Sequence, residues 1–155
     1  MKAIAVDQPK GSRVVHLLDL PIPEPRPDEV LIEIHAAGVG PWDLEYRESP
    51  MGFGVNLVPR VLGWEGAGIV QGVGENVTRL QAGDRVCFFD YPTDKWVRKS
   101  FVEGAFEELV CISEDAVGKL PDELDFIHGA AFPIAASPPI KPSTDRFTRK
   151  KAIPS

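Results

Sequence analysis

A proline stands at every second position of Pro21-Ile22-Pro23-Glu24-Pro25-Arg26-Pro27, and just beyond it the chain runs through Glu29-Val30-Leu31-Ile32-Glu33-Ile34-His35-Ala36. The prolines donate no ladder hydrogen bonds, so they hold an extended, edge-like course. In the stretch after them Val30, Ile32 and Ile34 alternate with Leu31, Glu33 and His35, the two-residue period of a strand with one face in a core. The rest of the chain is punctuated in the same way: 14 glycines and 15 prolines make up about a fifth of its residues, which implies many turns. Further strands are expected at 2–6, 14–20, 66–73, 85–89, 105–112 and 116–120, with the turn Ala82-Gly83-Asp84 before the fifth of the seven. A short helix is expected from Pro41 to Arg47, Pro being suited to a first helical turn. A second runs from Pro121 to Phe132, where Leu124, Ile127 and Ala131 fall near the helical repeat and Asp122 and Glu123 suit the N-terminal dipole. Asp90 to Glu103 is polar and reads as a surface excursion. Close-spaced strands with few helices and no alternating β-α-β units point to a mainly β fold, an antiparallel barrel or sandwich.

At 155 residues and 17.0 kDa the chain has the length of one domain,. No apolar stretch approaches the ~18 residues that cross a bilayer, and the N-terminus has no apolar leader with a cleavage site, so the expected address is the cytoplasm. The net charge of −6 is uneven: Ser137 to Ser155 stands at +4, which leaves the remaining 136 residues at −10. An acidic body disfavours phosphate backbones, and no nucleic-acid partner is expected. Residues 135–155 form a basic tail with Pro and Ser, few apolar side chains and the composition of disorder.

Chemical candidates are sparse. His16, His35 and His128 belong to no ligand motif, and Cys87 and Cys111 form no C-x-x-C pair, so they read as ordinary residues and reduced thiols. Gly38-Val39-Gly40 and Gly72-Val73-Gly74 lack the third glycine of a dinucleotide fingerprint, since position 43 is Asp and position 77 is Val. They read as turns. Trp42, Tyr46, Trp64 and Trp96, with Phe53, Phe88 and Phe89, either line an apolar cleft or fill the core.

Five stretches carry more. Residues 27–43 (PDEVLIEIHAAGVGPWD), 61–74 (VLGWEGAGIVQGVG), 82–86 (AGDRV), 104–112 (GAFEELVCI) and 119–133, which opens with Lys-Leu-Pro-Asp-Glu-Leu, come in one order. That order resembles the N-terminal GroES-like domain of the medium-chain dehydrogenase/reductase superfamily. The resemblance implies a GroES-like, partly open antiparallel β-barrel with a few short helices over residues 1–134. Zinc alcohol dehydrogenases carry a Cys where this chain has Gly40 and a His where it has Trp64. Neither glycine nor an indole ligates metal, so no zinc is expected and the nearest branch is the zinc-independent, quinone-oxidoreductase-like one.

That branch implies NADPH-dependent reduction of quinones, enones or aldehydes, at a cleft between this domain and a following dinucleotide-binding domain. By family position Gly40, Trp42, Asp43, Tyr46, Trp64 and Glu65 face the cleft, Gly40 and Pro41 lie toward the cofactor, and no residue is assigned as catalytic. Asp43 either braces the short helix or hydrogen-bonds near the nicotinamide. Glu65 holds its loop rather than donating a proton. The stretch after Pro133 reads Ile134-Ala135-Ala136-Ser137-Pro138-Pro139, without the fingerprint that family members show there, so tight NADPH binding by these residues alone is not expected. The alternative is a non-catalytic binding or scaffold module that self-associates, pairs with a separate Rossmann-domain chain, or holds a small apolar ligand on the exposed cleft face.

Overall fold

The structure, a computed structural model, describes residues 1–6, 15–48, 59–89 and 103–136. Among them lie eight strands, β1 (Lys2–Val6), β2 (His16–Asp19), β3 (Glu29–Ala37), β4 (Arg60–Val61), β5 (Glu65–Val73), β6 (Arg85–Phe89), β7 (Leu109–Ser113) and β8 (Val117–Lys119), and the helices α1 (Pro41–Glu48), α2 (Phe126–Ala131) and α3 (Pro133–Ala136). The strands make two antiparallel sheets, one ordered β2-β1-β4 and one ordered β7-β3-β5-β6-β8. No helix among the described residues is long and apolar enough to cross a membrane.

The segment just before β7 sews the sheets together. Phe106 accepts the Ile4 N–H of β1 at 2.7 Å and donates its own to Leu62 at 2.8 Å, while Glu108 donates to Lys2 at 3.0 Å and accepts from Ile34 of β3 at 2.9 Å. One short stretch thus bonds to β1, to β3 and to the turn after β4. The result is a barrel that stays partly open, with no closed ring of strands among the described residues.

The expected alternation on β3 is real, for Val30 and Ile32 are fully buried while Glu33 faces solvent. With Val70, Val86, Phe88, Val110 and Ile112 they form the main core. Each such side chain contributes roughly 1.5–3 kcal/mol through its removal from water. The register of β3 against β5 shifts twice, between Leu31 and Ile32 and between Ile34 and Ala36. Each irregularity bends the pair, which is how an antiparallel sheet curls. Gly68 sits where a Cβ would lie 1.9 Å from the Glu33 carbonyl oxygen, so the small residues of β5 do permit close backbone approach.

Three expectations are corrected. The strand expected from Ala105 begins at Leu109, because residues 105–108 bond to both sheets rather than follow one ladder. The helix expected from Pro121 begins at Phe126, capped by the Asp125 carboxylate on the His128 N–H at 2.8 Å. The Arg85 guanidinium donates to the Pro121 and Leu124 carbonyls and holds residues 121–124 as a turn instead. The buried face of α2 is Gly129 and Ala130, with Ile127 exposed, because the helix docks on β5 through its smallest residues. Glu103, placed by the sequence at the end of a surface excursion, is buried. The remainder of that excursion and the basic tail from Ser137 lie outside the described residues, as do residues 49–58.

Candidate functional site

Helix α1 starts in the manner its sequence dictates. Gly40 caps it, Pro41 opens the first turn, and Asp43 stands three residues past the cap, where an acid can reach back to the cap amide. Its carboxylate accepts the Gly40 N–H at 2.8 Å, and its second oxygen accepts the Gly63 N–H at 3.2 Å across the site. Gly63 has φ +91°, and a Cβ there would meet the Phe106 ring at 2.4 Å. Only glycine satisfies both conditions. One buried carboxylate therefore fastens the start of α1 to the turn between β4 and β5.

Glu65 does the same at the start of β5. Its backbone carbonyl accepts the Gly38 N–H at 3.1 Å, and its carboxylate accepts the Ile134 N–H of α3 at 2.8 Å. Asp43 and Glu65 are 4% and 5% exposed. Burial raises the carboxyl pKa of Asp43, against the lowering effect of the Gly40 and Gly63 amides. Burial raises that of Glu65 as well, the Ile134 amide opposes, and the charge of Asp43 pushes it further up. Both expected holding roles, Asp43 as a brace of α1 and Glu65 as the anchor of its loop, correspond to these contacts.

The aromatic residues divide. Tyr46 and Trp64 are buried, packed edge to face with ring centroids 5.7 Å apart, in one apolar cluster with Val6 and Leu62. Trp42 is half-buried against that cluster and lies over Gly40, where a Cβ would come within 2.2 Å of the indole. The indole thus occupies the space a side chain at position 40 would take. Gly40, Trp42, Asp43, Tyr46, Trp64 and Glu65 are gathered in one corner, and Pro41 is exposed at its edge. Trp96 and Phe53 lie outside the described residues.

Neither glycine pair is a phosphate cradle. At Gly38-Val39-Gly40 the cap amide that would face an anion is already bonded to the Asp43 carboxylate, and Gly72-Val73-Gly74 leads from β5 into a turn rather than a helix. Among the described residues no group of three or more His, Cys, Asp or Glu lies together in a way that could hold a metal ion. Cys87 and Cys111 are free thiols. Sequence reasoning missed Arg60, 1% exposed, whose guanidinium lies 5.4 Å from the centre of the Tyr46 ring. Its setting between Pro59 and Val61 was the available signal of a buried strand, and its charge argued the other way.

Residues 26–122 match the alcohol dehydrogenase GroES-like domain family. The pig quinone oxidoreductase is 37% identical over 135 residues, 86% of this chain and 38% of that one. A trans-enoyl reductase of Aspergillus flavipes is 36% identical with the same coverage. The Escherichia coli quinone oxidoreductase, solved in complex with NADPH, superposes with a TM-score of 0.70 at 26% identity over 84% of this chain and 36% of that one. The chain thus spans less than two fifths of the length of these relatives. With the partly open barrel and the Asp43-braced corner in place, the chain belongs to the alcohol dehydrogenase GroES-like domain family, on the quinone oxidoreductase branch of the medium-chain dehydrogenase/reductase superfamily.

Proposed function

We propose that residues 1–134 form the substrate-side domain of an NADPH-dependent, zinc-independent oxidoreductase that reduces quinones, enones or aldehydes in the cytoplasm. The observation that carries this reading is the corner itself. Where a catalytic metal would need converging ligands, Gly40 offers no side chain, Trp64 offers an indole buried against Tyr46, and the Asp43 carboxylate is bonded to two backbone amides. What the corner supplies is shape: two carboxylates fix three backbone segments, and the indole of Trp42 gives a partly exposed apolar wall. Such rigid positioning, with water excluded by apolar walls, is what hydride transfer to an electron-poor carbon asks of a protein. Similarity to quinone oxidoreductases and to an enoyl reductase supports that substrate class.

The described residues do not offer a cradle for a dinucleotide phosphate, so nucleotide grip is assigned to a second domain, as part of the same polypeptide or as a separate chain. The 155 residues alone are expected to bind NADPH without saturation up to ~100 µM and to reduce no 1,4-naphthoquinone. NADPH fluorescence titration and absorbance at the nicotinamide band measure both, and turnover by this chain alone contradicts the assignment. After dialysis against a chelator, elemental analysis is expected to find well under one zinc per chain. About one retained equivalent overturns the metal-free reading. Exposed Ile4, Leu17 and Val39 line an apolar groove of about 410 Å³ between β1, β2 and the end of β3, which supports self-association of the chain as its partner mode.

A further inference from the structure

Arg60 is the largest fully buried side chain among the described residues. Its backbone pairs with Val6 of β1, and β4 forms an edge of the three-stranded sheet. The guanidinium packs against the Tyr46 ring, which in turn meets Trp64 edge to face. A ring face attracts a cation, yet recovers only part of what the charge loses on leaving water. Two of its nitrogens, Nε and Nη2, are buried and have no hydrogen-bond partner among the described residues. No ion pair joins the Arg60 guanidinium to a carboxylate among the described residues.

The identity of those two nitrogens matters. Nε and Nη2 form one straight edge of the planar guanidinium, with two N–H bonds pointing the same way at the spacing of two oxygens on one carbon or phosphorus. A fork of this kind, buried with both prongs unbonded, is matched by a planar or tetrahedral oxyanion better than by a single water or a monatomic ion. We propose that the Nε–Nη2 edge of Arg60 is a binding site for one small oxyanion, a carboxylate or phosphate group, held beside the Tyr46 ring. The site is separate from the reaction assigned above and stands whether or not that assignment does. Because the fork is buried, the anion enters by local opening of β4, a two-residue edge strand held by few ladder bonds,.

The test uses the full chain at pH 7 and constant ionic strength, exchanging sodium chloride for sodium acetate or sodium phosphate from 1 to ~100 mM and reading the melting temperature. The wild-type protein is expected to gain ~5 °C or more, saturably, with at least one of the two oxyanions. An acetate response points to a carboxylate-bearing ligand and a phosphate response to a phosphorylated one. Arg60→Met, neutral and of similar length, is expected to fold, since exchanging a buried unpaired charge for an apolar side chain is seldom destabilising. Its melting temperature is expected to be flat across both series. Arg60→Lys keeps the charge without the fork and is expected to show less than half the wild-type rise. No saturable rise in the wild-type protein overturns the proposal. An equal rise in Arg60→Met, or in Arg60→Lys should the Met variant not fold, overturns it too, because the ion then acts elsewhere.

Discussion

Replacing Asp43 with Ala tests whether the corner is held by one carboxylate. The substitution removes the acceptor of two backbone amides, Gly40 at 2.8 Å and Gly63 at 3.2 Å. The Gly63 N–H is buried, and leaving such a donor without an acceptor costs about 1–3 kcal/mol. The Gly40 N–H stands at the helix start, where losing a cap-like bond costs about 1 kcal/mol. Against these losses stands the removal of a desolvated charge, for burial is the leading cause of the raised Asp43 pKa. The balance is a destabilisation of about 2–3 kcal/mol for Asp43→Ala, and about half that for Asp43→Asn, which keeps one acceptor oxygen. Urea denaturation followed by tryptophan fluorescence measures both, and hydrogen exchange of the Gly63 amide localises the effect. A loss below about 0.5 kcal/mol in Asp43→Ala, with Gly63 exchange unchanged, refutes the bracing role.

Glu65 makes stability depend on pH in a stated direction. Its carboxyl pKa is raised above 4.5, so between that value and the folded one the native state holds a proton that the unfolded state has lost. Stability therefore falls as pH rises through that window, and Glu65→Gln is expected to flatten the fall in urea midpoints measured from pH 4 upward. An unchanged slope contradicts it. Gly63→Ala combines φ +91° with a contact to Phe106, and a loss of at least ~2 kcal/mol in thermal denaturation is expected; a loss within ~0.5 kcal/mol refutes the steric argument. For self-association, sedimentation at ~100 µM is expected to show dimer or larger species. Leu17→Glu, on the exposed groove wall, is expected to shift the mixture toward monomer, and a wild-type protein that sediments only as monomer rules the surface out.

What could be read from the residues was whatever repeats locally. The alternation of Val30, Ile32 and Ile34 marks β3, and Pro41 followed by Asp43 marks the start of α1, because backbone geometry and burial act there within a few positions. The start of α2 was not legible, since it depends on Arg85, far away in sequence, taking the Pro121 and Leu124 carbonyls. The stitching of both sheets by residues 105–108 was hidden for the same reason: its partners are Lys2, Ile4, Ile34 and Leu62. In the corner, order in sequence brought out Asp43, Trp64 and Glu65, whereas the acceptors and donors that fix them lie up to 69 positions apart. The burial of Arg60 had one local trace, its place between Pro59 and Val61, and side-chain charge, which predicts exposure, outweighed that trace until packing overrode it.

The central claim is that this domain shapes the substrate side of a metal-free, nicotinamide-dependent reductase, and a domain exchange measures it most directly. Residues 1–136 take the place of the matched stretch in the pig quinone oxidoreductase, and the purified chimera is assayed for NADPH-dependent reduction of 1,4-naphthoquinone after chelator dialysis. The account predicts turnover without added metal, reduced at least tenfold when Trp42 is replaced by Ala. A folded chimera that binds NADPH yet transfers no hydride to quinone, enone or aldehyde, or one that works only with zinc restored, contradicts it.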